Sequence, residues 1–68
     1  MERVDARGMS CPQPVLMTKN ALEGQPQEIE VMVDSNTAKN NVTRFLKNAG
    51  YEVAVEELEE DILIKASR

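Results

Sequence analysis

Cys11 is the only cysteine among 68 residues, and Pro12, Gln13 and Pro14 follow it directly. Proline is favoured at the first helical position, where its missing N–H would have had no partner anyway. That puts Cys11 at an N-cap. A thiolate there meets the partial positive charge of the helix N-terminus and its free N–H groups, which is one route to a lowered cysteine pKa. Pro12 and Pro14 donate nothing, so the N–H of Gln13, at the N2 position, is the donor left to the cap. Each proline also fixes its own φ. The pattern describes a soft nucleophile on a rigid, exposed corner that other proteins can reach. The competing reading is packing, because free cysteine is among the most buried residue types. Gly8 and the helix-start position argue for an edge rather than the core, and the residues alone leave both readings open.

Arg7 and Lys19 are the nearest cations. Lys19 lies eight residues past Cys11, about 12 Å along a helix axis, too far to pair with the sulfur directly. Its plainer reading is a snorkelling rim residue. Arg7 either bends toward the sulfur or pairs with Asp5. Asn36, Asn40 and Asn41 read as caps and exposed helix positions. Met9, Met17 and Met32 read as core or rim fillers, with Met9 a candidate for an apolar docking patch.

Other chemistries are excluded by composition. The chain has no histidine, so it holds no Cys-His pair. A single cysteine makes neither a CxxC redox pair nor a cysteine-rich zinc site. Gly8, Gly24 and Gly50 stand alone, so no phosphate loop exists. No metal and no resident cofactor is expected. Eight Lys and Arg against twelve Asp and Glu give a net charge of -4, which opposes phosphate neutralisation and direct nucleic-acid binding. Phe45 and Tyr51 are the only aromatics, too few for a base-stacking platform. The late acidic run EVAVEELEEDILIK reads as a solvated strand pair. No apolar run spans a membrane, and no signal core is present. A lone thiol fits a reducing compartment, so a cytoplasmic location is expected.

The elements that must position Cys11 follow from periodicity. Residues 2–6 (ERVDA) form a short strand with Val4 and Ala6 opposite in phase to Arg3 and Asp5. A first helix is expected from about Pro12 to Glu23, with Val15, Leu16, the stem of Lys19 and Leu22 on one face; Gly24 and Pro26 end it. IEVMVD alternates as a half-buried strand. Ser35, Asn36 and Thr37 offer N-caps to a second helix carrying Ala38, Val42, Phe45, Leu46 and Ala49, which Gly50 closes. YEVAVEE puts Tyr51, Val53 and Val55 on one face, and DILIKA puts Ile62, Ile64 and Ala66 on one face with Leu63 on the other. These two form an antiparallel hairpin. The chain is read as one α+β domain over residues 1–68, ordered β-α-β-α-β-β. It is a two-layer α/β sandwich, with two helices packed on one face of a mixed four-stranded sheet.

The stretch Asp5-Ala6-Arg7-Gly8-Met9-Ser10-Cys11-Pro12-Gln13-Pro14, with Lys19 downstream, resembles the signature of the TusA family, also called SirA-like, whose members share a CPxP motif at the start of the first helix. The resemblance runs through the second strand, the second helix and the closing hairpin. NNVTRFLKNAGYEV is similar to the YedF-like branch, in which such a domain commonly forms the N-terminal part of a longer protein linked to selenium metabolism. The resemblance implies a sulfur carrier with a persulfide on Cys11, a reversible modification suited to relay. It implies a cysteine desulfurase as donor and a downstream sulfur or selenium acceptor protein as partners. It implies that Arg7, Gly8, Pro12, Gln13, Pro14 and Lys19 support the sulfur site or face the partner. A carrier of this kind leaves catalysis to its partner enzymes and needs a free surface, so a monomer is expected. Two other readings stand beside it: selenium handling on the same thiol, and a regulatory or interaction domain in which Cys11 is only a cap.

Overall fold

A computed structural model of the chain describes residues 2–9 and 13–68. Six elements follow one another: β1 (Glu2–Asp5), α1 (Gln13–Leu22), β2 (Glu28–Val33), α2 (Asn36–Asn48), β3 (Glu52–Glu57) and β4 (Ile62–Ser67). The strands form one sheet in the order β1-β2-β4-β3. β1 is parallel to β2, and β4 is antiparallel to both β2 and β3. β4 therefore enters between two strands that run the other way. This is the expected mixed sheet with two helices.

Period-two alternation builds the core. Val31 stands opposite Val4 on one side and Ile64 on the other, Ile29 opposite Ala66, and Val33 opposite Ile62. The residues named from β2 and β4 are all buried, and they share one cluster with Ala38, Val42 and Leu46 of α2. The other sheet face carries no helix and is mixed: Arg3 pairs with Glu30 at 3.1 Å and Lys65 with Glu56 at 3.3 Å, while half-buried Met32 stands opposite Leu63. β3 is an edge strand with a single strand neighbour. Val53 packs on the core, whereas Val55, expected on the same buried face, is 42% exposed. The helical layer does not cover this end of the edge strand.

α2 is bounded as its sequence dictates. Ser35 has an extended backbone, and its hydroxyl accepts the N–H of Ala38 at 3.1 Å, so it is the N-cap. At the other end Tyr51 N–H donates to the Leu46 carbonyl and Gly50 N–H to that of Lys47, both at 3.1 Å. With Gly50 at φ 95°, this is a Schellman motif.

α1 departs from expectation in two ways. Its fully buried residues are Pro14 and Thr18, with Val15, Met17, Ala21 and Leu22 packed on the core at its sides, while Leu16 is 44% exposed and Lys19 faces solvent. The buried face is thus rotated about the helix axis by roughly 100°, one residue's step, from the one the large apolar residues suggest. Thr18 tolerates burial because its hydroxyl donates to the Pro14 carbonyl at 2.8 Å. The helix exit also differs. The left-handed residue is Gln25, at φ 51°, and not Gly24. Pro26 disfavours the right-handed helical region for the residue before it, so the reversal falls on Gln25.

Candidate functional site

The site grows from the sheet end where β1 and β2 finish and β4 begins. The β1–β2 ladder runs one residue past β1, through Ala6 N–H to the Met32 carbonyl at 2.8 Å. Ala6 is buried. The chain then reverses, with Met9 N–H donating to the Ala6 carbonyl at 3.3 Å and Gly8 at φ 76°. A positive φ at the third position is the signature of a type II turn, and it explains the glycine.

Three carboxylates hold this turn. Asp5 Oδ1 accepts the backbone N–H of Arg7 at 3.2 Å and its Nε at 2.9 Å, and Oδ2 accepts Nη2 at 2.9 Å. The backbone contact is an Asx-turn, and the side-chain pair is a bidentate fork. Arg7 Nη1 reaches Asp61 Oδ2 at 3.2 Å. Gly8 N–H donates to Asp34 Oδ2 at 2.7 Å. Asp5 ends β1, Asp34 follows β2 and Asp61 precedes β4, so three strands each contribute one acid. The hydrogen bonds from the Arg7 side chain, and then from its backbone N–H, hold the Asp5 carboxyl down to about 2. The same bonds from Asp5, and then from Asp61, push the Arg7 guanidinium up.

Of the two sequence readings of Arg7, the pair with Asp5 is therefore formed. Arg7 and Gly8 are brought together in one turn. Gln13 opens α1 and is exposed, while Pro14 beside it is buried and acts as packing as well as a stiffener. Lys19 is exposed in the last turn of α1, where a cation complements the helix dipole. It is not brought to the Arg7 turn. Cys11 and Pro12, like Ser10, lie outside the described residues. Met9 and Gln13 bracket them, and Met9 is 44% exposed, as is Leu16 one turn into α1. Among the described residues no group of acids, cysteines or histidines is arranged to hold a metal ion, and no helix is long and apolar enough to cross a membrane.

Sequence reasoning missed Asp34 and Asp61. Asp34 had a signal, since an acid right after an alternating strand stands beside the next strand's end. Asp61 had none, because its meeting with Arg7 depends on the strand order.

Comparison with known proteins agrees with this architecture. A family model described as "Sulfurtransferase TusA" matches residues 2–65. A protein of Methanocaldococcus jannaschii is 44% identical over 59 residues, covering 84% of this chain and 79% of its own. One of Bacillus subtilis is 36% identical over 62 residues, covering 88% and 83%. Both are named "Putative sulfur carrier protein". The crystal structure of a SirA-like protein from Desulfitobacterium hafniense superimposes with a TM-score of 0.90 at 27% identity, over 98% of this chain and 96% of that one. Matched by that family model over nearly its whole length, the chain belongs to the TusA sulfurtransferase family.

Proposed function

We propose that the protein is a sulfur carrier that holds a persulfide on Cys11, receives the sulfur from a cysteine desulfurase and passes it to an acceptor protein. The observation that carries this reading is the joint one of family and sequence: a TusA-family chain whose single thiol lies inside the CPxP motif. The clamped Arg7–Gly8 turn before the motif and α1 after it support the reading, since both ends of the short segment bearing Cys11 join ordered structure. Loading is an exchange in which the Cys11 thiolate attacks the outer sulfur of the donor's persulfide. One S–S bond forms, one breaks, and the donor leaves as its thiolate. Nothing is oxidised overall, so neither metal nor cofactor is needed. A monomer working in the reducing cytoplasm suits such an exchange.

Arg7 is already shared between Asp5 and Asp61, so its part is to shape the turn that leads to the sulfur. Lys19 and the exposed Met9 and Leu16 are suited to facing a partner. Intact-mass spectrometry after incubation with a cysteine desulfurase and cysteine tests the reading, with Cys11→Ala as control. A gain of one sulfur on the wild type alone is expected. No gain, with the thiol shown to be open to alkylation, overturns it. The YedF-like stretch at residues 40–53 favours selenium as the alternative cargo on the same thiol, and a selenium donor in the same assay separates the two by mass.

A further inference from the structure

The hydrogen bond from Gly8 N–H to Asp34 Oδ2, at 2.7 Å, is short, and its acceptor is an exposed carboxylate on a different element. Arg7 is held on one side of the turn by Asp5 and Asp61. Gly8 N–H is tied to the residue that directly follows β2, and it lies three residues ahead of Cys11. We propose that Asp34 is a positioning residue for sulfur exchange: its carboxylate latches the Gly8 amide and so fixes the direction in which the chain enters the cysteine motif. The inference rests on the sulfur-carrier reading for its functional consequence. The latch itself stands on the bond.

Asp34 does not touch the reacting sulfur in this account, so it acts through geometry. A charged acceptor makes the bond stronger than a neutral one would be. An amide oxygen at the same position can still accept the Gly8 N–H, whereas a methyl group cannot. Asp34→Asn and Asp34→Ala therefore separate latch from charge. The negative charge is lost in both variants. The latch is lost in the alanine variant only.

The experiment uses the full 68-residue chain with two readouts. The first is the rate of Cys11 alkylation by iodoacetamide against pH. The second is the dependence of sulfur loading from a cysteine desulfurase on carrier concentration. With Asp34→Ala, the alkylation profile is expected to shift from that of wild type and loading kcat/KM to fall roughly tenfold, the equivalent of about 1.4 kcal/mol. With Asp34→Asn, the alkylation profile should stay with that of wild type and loading should stay within about threefold of it, well under that 1.4 kcal/mol step. Asn and Ala variants that behave alike, or an Ala variant matching wild type, overturn the latch. Thermal melts of both variants confirm folding at the assay temperature; a lower melting point with unchanged profile and loading also overturns it, as a merely structural role. If the wild type takes up no sulfur, the carrier reading fails, and the alkylation profiles alone still decide whether Asp34 positions the thiol.

Discussion

Gly8→Ala isolates what the turn before the cysteine motif demands of the backbone. Gly8 sits at φ 76°, and a Cβ built on it would meet nothing within 4 Å. Steric collision therefore adds nothing, and the cost is conformational. An L-residue in the left-handed region costs about 1–2 kcal/mol. Alanine returns about 0.4–1 kcal/mol of this, because it has less freedom to lose from the unfolded chain. The net destabilisation is about 1 kcal/mol, which in a domain of this size lowers Tm by roughly 4–8 °C. Valine should be worse, since a β-branched residue is a true outlier at positive φ, and asparagine should recover part of the loss. The assay is urea unfolding at 25 °C followed by circular dichroism, with thermal melts alongside. The expected order of stability is Gly, Asn, Ala, Val. Gly24→Ala is the internal control: its φ is ordinary and its Cβ site equally open, so that change should be neutral to stabilising. An alanine at position 8 as stable as glycine, or position 8 and position 24 responding alike, would refute the account of the turn.

Gln25→Gly should stabilise the fold by up to about 1 kcal/mol, because glycine relieves the left-handed strain now borne by a side-chain residue at φ 51°; an unchanged urea midpoint would count against it. Asp5 should titrate near pH 2, as followed by its carboxyl carbon in an NMR pH series, because Arg7 holds it there. The sign follows from a depressed folded-state value: the stabilisation by the Asp5–Arg7 pair is complete above about pH 4, where the unfolded carboxyl is ionised, and is lost as pH falls through about 2. A midpoint near 4 would show that the fork does not persist in solution.

The sheet and α2 were legible because burial on one face imposes a period on the sequence. Ile29, Val31 and Val33 alternate, and Ala38, Val42 and Leu46 recur every four residues; all six are buried as that pattern requires. α1 was less legible, because its buried positions are held by Pro14 and Thr18, neither of which marks a core face. The hydroxyl of Thr18 is hidden by bonding to its own helix, a solution no hydropathy pattern reveals. The helix ends where Gly24 and Pro26 were expected to end it, but the left-handed residue is Gln25, because glycine permits a positive φ without requiring one and Pro26 decides the matter. At the candidate site, the Asp5–Arg7 pair was readable from proximity in sequence. The contact between Arg7 and Asp61 spans 54 positions, and only the strand order creates it.

That strand order has a mechanical consequence for the Arg7–Gly8 turn. Neighbouring strands lie about 4.8 Å apart. In the order β1-β2-β4-β3, the start of β4 stands two strands from β1, or about 10 Å. Had the closing hairpin simply been added in sequence order, β4 would stand three strands away, about 14 Å. The inserted arrangement keeps Asp61 within the reach of Arg7, and the two meet at 3.2 Å. The turn that leads to Cys11 is thus tied to the last hairpin of the chain as well as to the first two strands. Its order depends on completion of the sheet: while β4 is unpaired, Arg7 has Asp5 alone and one of the acids that hold the turn is missing.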